Sequence, residues 1–349
     1  MVRFADIVTS KIKLGVPNKI TPVRVGENAY RFADLQVLEQ LAESTSVPKY
    51  EEEGPTFEVI GYYDELLELA QDIGDRVKRN KKIDPFPILS IIHSITAANL
   101  TDELYEYAMS STVDYEELPG PTMEATFASM KVGEGMGYDE KMLIKLGLTA
   151  FLENVGIYKV PEGVLTKKGK LDEKEIKTIK SHPIISYKIL SGMGEKFRWL
   201  ALLALQTHER SDGSGYPKGL KEDEISEMAS IIGLTETYIA MIKRTPYRDP
   251  YSRPDAVKFI IEDAKLQFPI KVLKAFFNEI SLYPVNTYVR LNSQAIGRVQ
   301  STNKRRPLRP RIALLYDSEG KRIRSQKVID LSEDPLFYIV ESIDKKDLP

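Results

Sequence analysis

Between Leu143 and Val155 the chain is apolar on almost every side of a helix. Leu143, Ile144, Leu146, Leu148, Phe151, Leu152 and Val155 leave no polar stripe, and a helix of that kind is buried rather than laid on a surface. It is therefore central, and the fold must be built around it. Near its end stand Glu153 and Asn154. A buried carboxylate without a partner costs several kcal/mol or takes up a proton, so Glu153 is out of place in a merely structural helix.

A second stretch raises the same question. The apolar run Trp199, Leu202, Leu203 and Leu205 predicts a buried helix that delivers His208 to an acid-rich turn ending at Leu220. Gly213 and Gly215, followed by Tyr216 and Pro217, force a tight loop, because glycine takes backbone angles closed to other residues and proline fixes φ. Two readings stay open on these residues. The loop either presents functional groups at the end of a rigid helix, or it is only the glycine turn with which helices commonly end. Glu209, Arg210 and Asp212 place three charges within four positions, and charges so near a buried helix end are expected to be paired. Tyr216 offers a rigid amphipathic ring suited to a contact surface; the alternative is that it packs inward.

The 349 residues suffice for two or three domains, and 42% hydrophobic with 29% charged residues is the make-up of a soluble globular protein. A net charge of −2 gives no drive toward nucleic acid or an anionic membrane. No apolar run has the length of a bilayer span, and Met1–Leu14 lacks a signal-peptide core. The absence of cysteine removes disulfides and thiolate metal sites and fits a cytoplasmic location. Metal chemistry must then rest on three histidines and carboxylates.

Three parts are expected. Residues 1–80 read as a small α/β domain of unassigned role, with strands at Pro22–Val25 and Phe57–Tyr62 and helices at Asp34–Leu41 and Tyr63–Val77; in the last, Leu66, Ala70, Ile73 and Val77 share one face. After a Lys/Arg-rich linker, a mainly α-helical body occupies 85–280. His93 lies there inside an apolar helix, where a packed core residue and a ligand are both conceivable readings, the first being the ordinary one. Residues 283–349 switch to a period of two, with strands near Tyr288–Asn292, Ile312–Tyr316 and Leu336–Val340. The basic cluster Lys304, Arg305, Arg306, Arg309 and Arg311 reads as a solvated loop held open by Pro307 and Pro310, or as an anion contact.

His208-Glu209 through Gly215-Tyr216-Pro217 resembles the signature of the HD-GYP family, a branch of the HD metal-dependent phosphohydrolases, and the resemblance runs from about Leu118 to Asp263. It implies an HD-type helical bundle, hydrolysis of cyclic di-GMP, and a centre of divalent metals. The departures fall on that centre. The family's Leu-Leu-His-Asp-Ile-Gly-Lys is here Phe151-Leu152-Glu153-Asn154-Val155-Gly156-Ile157, the first of two histidines before Glu209 is Thr207, and the histidine of an upstream Glu-x-x-x-His pair that would begin at Glu117 is Pro121. His182, in Ile179-Lys180-Ser181-His182-Pro183, matches the next metal-binding histidine, and Glu236 stands where the family has Asp. Thr245-Pro246-Tyr247-Arg248 matches Arg-Pro-Tyr-Arg, whose cations resemble those holding substrate phosphates; Arg248 remains, with Arg244 beside it.

A two-metal phosphodiesterase clamps the attacking and leaving oxygens between ions about 3.5–4 Å apart. An aspartate bridges such a pair because it is anionic with two oxygens, whereas Asn154 is neutral and offers one acceptor. The residues left, Glu153, Asn154, His182, His208 and Glu236, either hold a single iron, manganese or zinc ion or form a metal-free polar cluster. No organic cofactor is implied. The expectation is an impaired HD-GYP protein that binds cyclic di-GMP or a diguanylate cyclase-type partner through Arg210, Asp212, Gly213, Gly215, Tyr216, Pro217, Arg244 and Arg248, with a homodimer conceivable. The alternative is an active phosphodiesterase with a rebuilt mononuclear site.

Overall fold

A computed structural model describes residues 56–349 apart from 111–118, 168, 244–249, 281–282, 284, 304–308, 324–326 and 344–347. The elements expected at Pro22–Val25 and Asp34–Leu41, and the residues Glu117, Arg244, Arg248 and Lys304 to Arg306, lie outside the described residues.

Helix α1 (Phe57–Lys78) starts on Thr56, whose hydroxyl accepts from the Val59 amide at 3.3 Å. It buries Val59, Tyr63, Leu66, Ala70, Ile73 and Val77, one stripe at helical spacing. The strand expected at Phe57–Tyr62 is thus corrected: Thr56 caps a helix there, and Val59 and Tyr63 continue the stripe of Leu66 backward while Phe57 faces solvent. The stripe joins the same core as the helices that follow. Residues 57–78 therefore belong to the helical body, not to a separate N-terminal unit as expected.

Helices α2 (Phe86–Ala97), α3 (Thr101–Ser110), α4 (Pro119–Gly135) and α5 (Glu140–Leu152) come next. Asp139 caps α5 by accepting from the Met142 amide at 2.8 Å, and nearly every residue from Leu143 to Leu152 is buried. The apolar run thus marks the central helix. His93 on α2 is buried, with Nε2 3.3 Å from Glu140 Oε1. It is a packed core residue far in role from any ligand set.

After α5 the chain makes a tight turn (Val155–Lys159) and a single helical turn (Glu162–Leu165). Helix α6 (Glu173–Lys180) opens with a reciprocal cap between Asp172 and Glu175. It breaks at Ser181, and α7 (His182–Ser191) restarts with Pro183 in its first turn, where a missing N–H does no harm. Helices α8 (Arg198–Ala204), α9 (Glu227–Ile242), α10 (Arg253–Glu262) and α11 (Ile270–Glu279) complete the body. Trp199 on α8, the chain's single tryptophan, is half-buried, with the Lys145 ammonium of α5 5.4 Å from its ring centre. No described helix is long and apolar enough to cross a membrane.

The C-terminal part is an antiparallel sheet of β1 (Tyr288–Leu291), β2 (Ile296–Ser301), β3 (Arg311–Tyr316), β4 (Val328–Asp330) and β5 (Ile339–Ile343), in the order β4-β3-β2-β1-β5. Val289, Leu291, Val299 and Ile312 join the helical core. The strand expected at Leu336–Val340 is shifted: Leu336 sits in a turn held by Asp334, and pairing starts at Ile339. Arg309 is not an open anion contact either. Its guanidinium donates to the carbonyls of Leu331 at 3.2 Å and Phe337 at 3.0 Å, tying that turn together.

One glycine decides how closely the turn after α5 approaches α7. A Cβ on Gly156 would lie 2.2 Å from the His182 carbonyl oxygen and 2.5 Å from the Ser186 nitrogen. Gly156→Ala is expected to destabilise the protein by about 3 kcal/mol or more in urea unfolding, while Gly163→Ala, which meets nothing within 4 Å, should change stability little.

Candidate metal and ligand centre

The centre lies where three elements end or pass. Helix α5 hands over Glu153 and Asn154, the α6–α7 break supplies His182, and the chain after α8 brings Thr207 and His208 against Glu236 of α9. The last approach depends on Gly233, since a Cβ there would stand 2.2 Å from the Thr207 carbonyl oxygen. Arg210 pins the same segment, donating to the carbonyls of Thr207 at 3.1 Å and Glu209 at 2.8 Å and to the Thr237 hydroxyl at 3.2 Å.

Inside, the groups bond to one another. His182 Nδ1 lies 2.7 Å from the Ile179 carbonyl, which can only accept, so Nδ1 carries the proton and Nε2 is left as acceptor. His208 Nε2, at 2.8 Å, donates to it. The Thr207 hydroxyl donates to Glu153 Oε2 at 2.9 Å, and the Asn154 amide donates to Glu236 Oε1. His208 Nε2 is 3.9 Å from both Glu153 Oε2 and Glu236 Oε2. Glu236 Oε2 is buried without a hydrogen-bond partner among the described residues.

Burial governs the protonation of all these groups. It pushes the Glu153 carboxyl well up, and the neighbouring Glu236 charge pushes it further, while the Thr207 hydroxyl acts the other way. Burial also raises Glu236, against its bonds to Glu153 and Asn154 and the nearby Arg210. It holds His182 down at about 4 and His208 well below the ordinary range, so both imidazoles are neutral at physiological pH. Two carboxyls that resist ionising together are the state a divalent cation reverses, and a neutral imidazole is the form of His208 that can bind one.

The donor set fits one such ion. Ligand atoms of Glu153, His208 and Glu236 lie within 4.8 Å of one another, the sole group of this kind among the described residues, and the unpartnered Glu236 oxygen is one of the atoms that would serve. Asn154, at the position where the resemblance calls for a bridging aspartate, is neutral and its amide N–H already donates to Glu236. Asn154 and His182 touch the group without belonging to it.

The glycine-rich loop is organised from within. Glu209 accepts from the amides of Lys218 at 2.7 Å and Leu220 at 2.9 Å, closing the loop on itself. Gly213 has φ of +78°, as the turn demands. The Tyr216 ring is 2% exposed, stacked nearly parallel on His208 at 5.0 Å between centres, with the Lys180 ammonium 4.8 Å away. The surface-contact roles expected for Tyr216, Pro217 and Arg210 are corrected by this: all three are buried, Tyr216 by stacking on His208, Arg210 by bonding to the Thr207 and Glu209 carbonyls, and Pro217 beside Tyr216 in the same turn. Asp212, by contrast, is exposed, and Gly213 and Gly215 are half-buried.

Two residues that pattern reasoning passed over belong to the centre. Thr207 is a hydrogen-bond donor there, not merely a lost histidine. Lys180 is fully buried and held down at about 8, first by burial and then by Arg210. Its spacing from Ile176, one turn earlier on the apolar side of α6, was the available signal.

Residues 105–269 match the HD domain family, and residues 288–349 match a KOW domain associated with HD domains. Read with the His208–Pro217 signature, the first match decides the family. The chain carries an HD domain of the HD-GYP family. A cyclic di-GMP phosphodiesterase of Borreliella burgdorferi is 32% identical to it over 61% of this chain and 54% of that protein. One of Pseudomonas aeruginosa is 30% identical over 55% of this chain and 46% of its own length. The chain thus spans about half the length of these curated relatives. Among solved structures, an HD-GYP-type protein from Bdellovibrio bacteriovorus matches with a TM-score of 0.53 at 15% identity, over 69% of this chain and 76% of that one. At that identity the likeness concerns the fold alone.

The HD-GYP centre yields a pH test. Both carboxyls bind protons more tightly folded than unfolded, so their contribution to stability declines as pH rises above the ordinary glutamate pKa of about 4.3. Glu153→Gln removes the Glu153 share of that decline and leaves that of Glu236. In chelator it should gain on the wild type between about pH 5 and pH 8, reaching about 1–3 kcal/mol in urea unfolding. The histidines have the opposite sign but are common to both proteins and cancel in the comparison.

Proposed function

We propose that this chain acts in cyclic di-GMP signalling as a binding protein on an HD-GYP scaffold, with hydrolysis impaired. The observation that carries this reading is the hydrogen bond from the Asn154 amide to Glu236, at the position where the family resemblance calls for a bridging aspartate. A neutral amide there compensates one carboxylate and cannot hold two cations together. Thr207 does the same for Glu153. Names of the relatives, cyclic di-GMP phosphodiesterases, support cyclic di-GMP as the ligand class. The same chemistry is compatible with a diguanylate cyclase-type protein as partner and with a cytoplasmic location.

The gathering of Glu153, His208 and Glu236 within 4.8 Å favours a second reading, a mononuclear phosphodiesterase. One divalent ion held by those three would supply Lewis-acid polarisation and a more acidic bound water. In that reading Thr207 holds Glu153 in place and Tyr216, stacked on His208, excludes water from the imidazole face.

The two readings separate when the full chain is incubated with cyclic di-GMP in manganese and in chelator. Calorimetry is expected to show binding that survives chelator, and chromatography to show no linear dinucleotide or mononucleotide. Product formation that depends on added metal would establish the mononuclear enzyme instead. Metal uptake gives an independent check. The wild type should take up no more than one ion per chain, and Asn154→Asp, by adding a carboxylate to the cluster, should tighten divalent-metal binding about tenfold or more.

A further inference from the structure

Two histidines meet in the centre, and only His208 belongs to the group that can hold an ion. Its Nε2 is the atom turned toward the acids, 3.9 Å from Glu153 Oε2 and 3.9 Å from Glu236 Oε2. His182 stands beside the group with its ring fixed from several sides. Its backbone carbonyl lies against the turn after α5, where Gly156 leaves no room for a Cβ. Its imidazole meets that of His208 edge-on, 4.6 Å between centres, and the Tyr216 ring at 6.3 Å. Nδ1 is 2.7 Å from the Ile179 carbonyl, which only accepts, so the neutral ring keeps its proton there and presents a bare Nε2. That nitrogen, 2.8 Å from His208 Nε2, must accept from it. Asn154 Oδ1, 3.5 Å from the same His208 nitrogen, also only accepts. Both neighbours therefore call for a proton on the very atom that an ion needs as a bare lone pair.

We propose that His182 is no ligand of this centre but a latch on it: by accepting from His208 Nε2 it holds His208 in the tautomer that cannot take a cation. The proposal rests on the reading of Glu153, His208 and Glu236 as a single-ion group, and it reverses the role that the family resemblance gives to His182. Uptake of an ion breaks the bond between the imidazoles. The proton leaves Nε2 and the ring takes one up at Nδ1, so His208 stays neutral and no proton is gained or lost overall. His182 is thus a positioning residue that acts through His208, and its hydrogen bond is set against cation binding.

The latch is read without metal by nitrogen NMR of the full chain labelled at histidine, in chelator near neutral pH. His208 is expected to carry its proton on Nε2 and His182 on Nδ1. Calorimetric titration of the metal-stripped full chain with manganese chloride then gives the sign. His182→Asn keeps an amide donor for the Ile179 carbonyl and has no atom in the place of Nε2. It should bind manganese about tenfold more tightly than the wild type, the worth of one hydrogen bond. His182→Gln, which reaches the place of Nε2 with an acceptor, should stay near the wild type. Unchanged binding by His182→Asn overturns the proposal, and so does weaker binding, which would make His182 a ligand. A bare Nε2 on His208 in chelator also overturns it, and leaves the single-ion reading standing where the wild type binds manganese. If neither the wild type nor His182→Asn takes up manganese, the single-ion reading fails and the latch falls with it.

Discussion

The contact on which the rest depends is the one between the Thr207 carbonyl and Gly233. With any side chain at 233 the segment after α8 could not lie against α9, since a Cβ would come within 2.2 Å of that oxygen. Only in this position does His208 reach Glu153 and Glu236 at once. Arg210 then locks the contact, and its flat guanidinium, 4.8 Å from the Phe268 ring, is held by carbonyls rather than by a carboxylate. Though its Nε has no hydrogen-bond partner among the described residues, a cation held by these bonds resists displacement, because moving it would strand two carbonyls and a hydroxyl together.

The centre that results is balanced by neutral donors. Asn154 and Thr207 each give a hydrogen to a carboxyl, and one imidazole gives a hydrogen to the other. Such a cluster holds together by itself, and an ion taken up by His208 and the two carboxyls would have to displace the proton with which His208 Nε2 bonds His182. Hydrogen bonding and metal binding therefore compete for the same lone pairs, and the competition is set by how strongly burial keeps the acids protonated.

Much of this was legible in the residues. The all-round apolar run from Leu143 marked the central helix, and the period-two pattern after Tyr283 marked the sheet, because both signals come from burial that any partner would enforce. Glu153, His208 and Glu236 could be gathered through the family resemblance, and Glu153 through its misfit in an apolar helix. What could not be read was direction. Tyr216 and Pro217 follow glycines in a polar loop, which is also how an exposed tip is written. Only the packing of Tyr216 on His208 turns them inward. Phe57–Tyr62 failed for a related reason. A cap at Thr56 outweighs a short run rich in β-formers, and the stripe that continues into Leu66 decides the element.

Trp199 stands at a telling place. It is the chain's one tryptophan, on the helix that leads to His208, and it meets the Lys145 ammonium on the helix that leads to Glu153. The two arms that bring a base and an acid into the centre thus touch through one indole several residues upstream. Any change in spacing between them alters the field and the solvent around that ring. The protein carries a built-in optical gauge of its own centre, readable in emission without a label.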